Sequence, residues 1–106
     1  MNQITVDAIP NQKFTVQLDK VRYDITIKSI NYVTICTIVR DGVTVCDNIR
    51  CLPNALLLPY LAMENESGNF IWLTQDDEYP EYTQFGVTQY LMYLTADEMA
   101  AYRGGV

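Results

Sequence analysis

The chain has 106 residues, 49 % of them hydrophobic, and a formal net charge of −6. This length favours one domain over residues 1–106 with its own core, and the apolar content excludes a disordered chain. No apolar run approaches the about 20 residues needed to cross a bilayer. The N-terminus has no basic segment followed by an apolar one, so we expect a protein that stays in the cytoplasm where it is made.

The charge is distributed unevenly along the chain. Residues 1–50 carry six Lys/Arg and five Asp/Glu, giving +1, whereas residues 51–106 carry one against eight, giving −7. Sequence-independent binding to nucleic acid and attraction to anionic membranes both depend on cationic surface. The acidic balance therefore predicts that neither nucleic acid nor a membrane is a partner.

The first quarter of the chain has the pattern of short strands. Ile4–Val6 predicts a first strand, which Pro10–Asn11 ends. Phe14–Leu18 and Tyr23–Ile27 alternate apolar and polar residues, with a turn at Asp19–Lys20 between them. This alternation predicts a hairpin that has one buried face and one face in water.

The centre of the chain predicts a second hairpin, over Tyr32–Ile49. Two β-branched runs flank Asp41–Gly42, a pair that tolerates the positive φ angles of tight hairpin turns. The first run, Tyr32–Val39, is apolar on both faces. Such a strand is typical of the interior of a sandwich or barrel and not of a sheet edge.

The sequence leaves the register of this hairpin open between two arrangements. A two-residue turn pairs Arg40 with Val43 and places Cys36 and Cys46 on opposite faces of the strand pair. A three-residue loop with a bulge pairs Val39 with Val43, and the two cysteines then lie directly opposite each other.

Residues 51–60 form a strongly apolar segment that carries Pro53 and Pro59. The prolines exclude a central strand and break a helix. We interpret the segment as a packed connection that crosses an end of the sheets and buries its leucines in the core. The alternative is an apolar contact patch for a partner. The residues concerned are Leu56, Leu57, Leu58 and Tyr60.

The second half adds two strands and one helix. Phe70–Thr74 and Val87–Leu94 have the composition of strands. Thr95 and Glu98 match a capping box and predict a short helix to about Tyr102. Six or more strand-like runs with turn signals between them predict an all-β, single-domain antiparallel β-sandwich or barrel. We expect seven to eight strands and at most one short C-terminal helix.

A long irregular stretch, Gln75–Gly86, joins these last two strands and combines acidic with aromatic residues. Loops of this length in compact domains are often functional. Its carboxylates do not follow the spacing of a calcium loop, which favours a solvated loop over a cation site. We expect it to be exposed and to contact a partner, since charges steer association and aromatic anchors supply affinity. The candidate interface residues here are Asp76, Asp77, Tyr79 and Tyr82.

The chain offers little for catalysis. It contains no histidine, which excludes triads of the Ser-His or Cys-His type, and it has no glycine-rich phosphate loop. Cys36, Cys46 and Cys51 match no zinc spacing, so we expect free, buried thiols that react slowly. We therefore expect no enzymatic activity, no metal and no cofactor.

Several short motifs follow one another in an order that resembles a known family. They are Ile-Pro-Asn-Gln-x-Phe-x-Val-x-Leu-Asp at 9–19, Arg-Tyr-Asp-Ile at 22–25, Arg-Asp-Gly-Val at 40–43, the leucine-rich connection to Tyr60, Gly-Asn-Phe at 68–70, Asp-Asp-x-x-Pro-x-Tyr at 76–82 and Tyr-Leu at 93–94. The chain is similar in these features to the small baseplate plug proteins of contractile-tailed phages. The resemblance covers roughly Ile4 to Leu94 and does not extend to the cysteines.

This resemblance implies a virion structural protein, made in the host cytoplasm and located at the centre of the tail baseplate. Such a protein would contact the hub and close the distal end of the tail tube. Several copies would surround the tail axis, and a trimer would suit a three-fold hub. The family has no catalytic site to transfer to this chain. The alternative function is that of a binding module, namely a β-sandwich that binds a cation or a carbohydrate.

Overall fold

Seven strands and one α-helix form the described part of the chain. The structure, a computed structural model, describes residues 1–58 and 68–104. In chain order the elements are β1 (Asn2–Ile4), β2 (Asn11–Leu18), β3 (Val21–Ile30), β4 (Val33–Arg40), β5 (Val43–Arg50), β6 (Asn69–Thr74), β7 (Gln89–Leu94) and α1 (Ala96–Gly104). The strands pair antiparallel in two sheets, β1-β7-β6 and β2-β3-β4-β5. The predicted antiparallel β fold with a short C-terminal helix is confirmed.

The four-stranded sheet is a meander joined by three two-residue turns. Both central residues of each turn have positive φ, between 48° and 81°, as hairpin turns of the primed type require. The turn residues are Asp19 and Lys20, Asn31 and Tyr32, and Asp41 and Gly42. Strand β4 lies between β3 and β5, which confirms that the central apolar run is not an edge strand.

The central hairpin begins with the two-residue turn of the first predicted arrangement, but farther from the turn its register follows neither arrangement. Arg40 pairs with Val43, so the turn has two residues. Further along, Cys46 pairs with Ile38 and Cys36 with Ile49, because two register shifts interrupt the ladder. Each shift adds one residue to β5, and one extra residue turns the following side chains to the other face. The two-residue turn therefore forms, but the placement of Cys36 and Cys46 on opposite faces that was expected to follow from it is wrong, since both are buried in the core.

The first strand begins and ends earlier than predicted. Ile4 pairs with Leu91 and is buried, but the chain leaves the sheet directly afterwards. The side chain of Gln12 holds the following bend, because its Oε1 accepts the N–H of Asp7 at 3.0 Å and its Nε2 donates to the Asp7 carbonyl at 2.7 Å. The predicted strand residues Thr5 and Val6 therefore lie outside β1.

Aromatic side chains from both sheets meet in the core. Tyr23 of β3 packs edge-on against Phe70 of β6, with ring centroids 5.1 Å apart, and Phe70 lies 5.2 Å from Tyr93 of β7. The Tyr93 hydroxyl donates to Asp19 Oδ2 at 3.0 Å and so ties one sheet to a turn of the other. Burial raises the pKa of Tyr93, and the hydroxyl stays protonated as the donor. Asp19 and Tyr93, which belong to two of the sequence motifs, thus link the two sheets through this hydrogen bond.

The Gly-Asn-Phe motif at 68–70 is tightly packed at the start of β6. A Cβ atom at Gly68 would overlap the carbonyl oxygen of Leu94 and the hydroxyl of Tyr93. Asn69 is fully buried, accepts the N–H of Leu58 at 3.0 Å and donates to its carbonyl at 2.6 Å. These two bonds hold the backbone of Leu58, and Leu58 and Phe70 both belong to the core cluster.

Helix α1 begins at the predicted capping box. Thr95 Oγ1 accepts the N–H of Glu98 at 3.1 Å, and Glu98 Oε1 accepts the N–H of Thr95 at 3.0 Å. The Glu98 carboxylate also binds the amino group of Met1, and these hydrogen bonds lower the pKa of Glu98. Within residues 1–58 and 68–104, no helix has the length and apolar character needed to cross a membrane.

Candidate protein interface

The stretch that joins β6 to β7 is the strongest candidate for a contact surface, and we call residues 75–86 the acidic segment. It carries four carboxylates and no Lys or Arg. Two short 3-10 turns, Gln75–Asp77 and Tyr82–Gln84, give it defined local structure. Its outer part, from Gln75 to Tyr79, is exposed, which agrees with the predicted surface position for that part.

The inner part of the acidic segment is packed on the core. Phe85 is buried and its ring stacks on Trp72, with centroids 4.6 Å apart and planes 25° from parallel. Pro80 is also buried, and its carbonyl accepts a hydrogen bond of 2.7 Å from the Thr34 hydroxyl. The expectation of an exposed loop is therefore wrong for these residues, because aromatic packing and a buried hydrogen bond draw them inward.

A buried amide fixes the backbone between the two 3-10 turns. Gln89, at the start of β7, is only 1 % exposed. Its Oε1 accepts the N–H of Glu81 at 2.8 Å, and its Nε2 donates to the carbonyl of Tyr79 at 3.0 Å. The acidic segment is thus ordered before any partner binds.

The carboxylates lie on the outer side of this ordered frame. Asp77 Oδ1 accepts from Asn54 Nδ2 at 2.7 Å, and Glu78 Oε1 accepts from the Thr88 hydroxyl at 2.6 Å. Asp76 and Asp77 both take positive φ, near 54°, a conformation that Asp tolerates better than most residues. Hydrogen bonds therefore hold the carboxylates of Asp77 and Glu78 in defined positions.

The two candidate tyrosines have different surroundings. Tyr79 is 54 % exposed, and the guanidinium of Arg50 lies 4.8 Å from its ring centroid, within cation–π distance. Tyr82 is half-buried and packs against the core cluster. Both tyrosines keep some exposed surface, and Tyr79 offers the larger part.

The apolar candidates lie mostly inside the subunit. Leu57 and Leu58 are buried, as the interpretation of this segment as core expects, and they contribute no described contact surface. Leu56 is half-buried in an isolated bridge to Ile71. Tyr60 lies outside the described residues.

The residues that hold the acidic segment were not predicted from the sequence. Thr34 sits in a β-branched run where nothing marks it as a hydrogen-bond donor, and Gln89 stands in an otherwise ordinary strand. The usable signal was a polar residue within a strand that is apolar on both faces. Such a side chain is buried and therefore needs a hydrogen-bond partner elsewhere in the chain.

The three cysteines are free and buried, as predicted. The Sγ atoms of Cys36 and Cys51 lie 3.1 Å apart, and the hydrogen bond between them together with burial raises the pKa of Cys36. Burial also raises the pKa of Cys46, to about 11. In the described ranges no three His, Cys, Asp or Glu side chains come together as they would around a metal ion.

Two antiparallel sheets with one short C-terminal helix define the described part of the chain as a small all-β protein. A family model described as cyanophage baseplate Pam3 plug gp18 matches residues 1–97. The chain therefore belongs to this family of phage baseplate plug proteins, and the predicted resemblance is confirmed. A baseplate plug is a structural component of the phage tail and associates with other baseplate proteins. No curated protein matches the chain.

Proposed function

We propose that this protein closes the distal end of the tail tube of a contractile-tailed phage, seated against the hub at the centre of the baseplate. The family match over residues 1–97 carries the proposal, because a plug acts where a tube ends. The ordered acidic segment supports it, since a surface fixed before docking loses less conformational freedom on binding. A structural role also agrees with a chain that contains no histidine.

The size of the subunit favours more than one copy. The molecule extends 34 × 31 × 20 Å. One such subunit on the tail axis would break the symmetry of the tube and touch only part of the ring around it. Several copies can repeat one contact around the axis, and three would match a three-fold hub.

A reconstruction of the intact tail tip tests this function. The expected result is density for this β domain at the end of the tube, in contact with the hub and repeated around the axis. Density away from the hub, or absence of the chain from purified virions, would refute the proposal. Tails assembled without this protein serve as the control, because their tube end should then lack that density.

A further inference from the structure

The outer face of the four-stranded sheet carries cations in a protein that is acidic overall. Antiparallel pairing places Asn11, Lys28, Ile35 and Arg50 in one row across the four strands. Lys13 lies in the next row, opposite Thr26. Lys13, Lys28 and Arg50 are exposed, and within the described residues no carboxylate lies within ion-pair distance of either lysine. Asp24, on the same outer face of β3, does interact electrostatically with Lys13.

A shallow cavity marks the part of this face that belongs to β2 and β3. Its volume is about 300 Å³, and it is open to solvent. The lining residues are Asn11, Gln12, Lys13, Thr26, Ile27 and Lys28. We call this the lysine cavity. It offers two positive charges beside a concave surface.

The acidic segment lies at the opposite edge of the same sheet from the lysine cavity. Tyr79 sits over Arg50 of β5, one edge of the sheet, whereas Lys13 belongs to β2, the opposite edge. Three strand intervals of about 4.8 Å separate these edges, or about 14 Å. Because its anchors fix the acidic segment at the β5 side, its carboxylates cannot fold over onto the lysine cavity of their own subunit.

We propose that the lysine cavity of one copy receives the acidic segment of a second copy of this chain. The two surfaces have opposite charge, and each is displaced from the other on the subunit. A contact between them is therefore heterologous and repeats head to tail, which is the kind of contact that can close a ring. The charges, the cavity and the strand order favour this contact whatever the place of the protein in the virion.

The acidic segment has the chemistry to fill such a site. Asp76 and Glu78 present negative charge for Lys13 and Lys28, and Tyr79 adds an exposed ring beside them. A central aromatic contact surrounded by charge pairs is common in protein interfaces. Salt should weaken the association, because exposed charge pairs are screened at high ionic strength.

Sedimentation velocity of the purified full chain, from 10 μM to 1 mM, tests the proposal. We expect oligomers in 20 mM NaCl that dissociate in 500 mM NaCl. Reversal of the cavity charges by K13E/K28E, or of the segment charges by D76K/E78K, should weaken association by at least about tenfold. The control K20E changes an exposed turn lysine outside both surfaces and should associate like the wild type.

A mixture of the two reversed variants gives the decisive result. Each variant alone brings like charges together, but in a mixture each contact between two unlike variants again joins opposite charges. Open chains and rings with an even number of copies can then form entirely from such contacts, whereas a three-membered ring keeps one contact between like charges. Equimolar mixing of K13E/K28E with D76K/E78K should therefore restore oligomers, with circular dichroism used to check that each variant is folded. A wild-type protein that stays monomeric at 1 mM in low salt would overturn the proposal, as would a folded mixture that fails to associate.

Discussion

Gln89 is the side chain on which the order of the acidic segment depends most directly. Its amide makes two hydrogen bonds to the backbone of that segment, one as acceptor for Glu81 N–H and one as donor to the Tyr79 carbonyl. Since Gln89 is buried, water cannot easily replace it. We predict that Gln89→Ala destabilises the fold and loosens residues 79–81.

The size of this effect follows from the hydrogen bonds. A typical protein hydrogen bond contributes about 0.5–1.5 kcal/mol net, and a buried polar group left without a partner costs about 1–3 kcal/mol. The two backbone groups at 79 and 81 are part-buried, so solvent compensates in part. We therefore expect Gln89→Ala to lower the free energy of unfolding by about 2–4 kcal/mol, enough to lower the melting temperature by roughly 8–16 °C in a domain of this size.

Urea unfolding followed by circular dichroism measures this loss. The control is Gln17→Ala, which removes an exposed amide from β2 and should change stability by less than about 0.5 kcal/mol. Gln89→Glu adds a second test, since it keeps the acceptor but removes the donor to Tyr79. A loss below about 1 kcal/mol for Gln89→Ala, close to that of a surface substitution, would refute the reasoning.

Three further predictions concern the core, the candidate interface and the thiols. Gly68→Ala should destabilise the fold by about 1–3 kcal/mol in urea unfolding, because the added methyl group overlaps backbone that cannot move freely. The control is Gly42→Ala, whose methyl group meets no neighbouring atom, so that only the cost of placing alanine at a positive φ remains. Tyr82→Ala should weaken incorporation into tails by roughly 1–3 kcal/mol and by more than Glu81→Ala, and an equal loss of stability in the isolated protein would show that the substitution acts on the fold. Cys46 should be labelled by a thiol reagent far more slowly in native than in urea-unfolded protein. The pKa of the Cys46 thiol is raised from 9.0 to about 11 in the folded protein. The contribution of this thiol to the free energy of unfolding should therefore be present below pH 9 and be lost as the pH rises towards 11. Unfolding curves of the wild type and Cys46→Ala, measured across this pH range, check the prediction. Fast labelling of the native thiol would contradict its burial.

The strands of the meander could be predicted from local patterns alone. Alternation at Phe14–Leu18 and Tyr23–Ile27 predicts one hairpin and the pair Asp41–Gly42 predicts another, and both hairpins form. The register at the second turn is one of the two that the sequence left open. The same is true of the capping box at Thr95, whose two reciprocal hydrogen bonds form as expected. These features depend on neighbours within a few residues, which a single sequence displays directly.

What could not be predicted depends on contacts between distant parts of the chain. The two shifts in β5 are not marked by a glycine, and one of them is supported by Thr37, whose Oγ1 accepts the N–H of Asn48 at 3.0 Å. The inward position of Pro80 requires the hydroxyl of Thr34, 46 residues earlier. A sequence pattern identified the acidic segment, but it could not indicate which of its residues are held and which remain exposed.

The structure suggests how so small a domain keeps irregular segments in place. Four amide side chains each form hydrogen bonds with the backbone of an irregular segment or with the end of a neighbouring strand. Gln12 holds the bend after β1, Asn69 holds Leu58, and Gln89 holds residues 79–81. Asn54 accepts the N–H of Thr74 at 3.1 Å while it donates to Asp77. Each amide can accept and donate at once, so one side chain satisfies two polar groups. For a protein that associates with other baseplate proteins, this arrangement provides an ordered surface without a disulfide among the described residues, and it reduces the entropy that docking would otherwise cost.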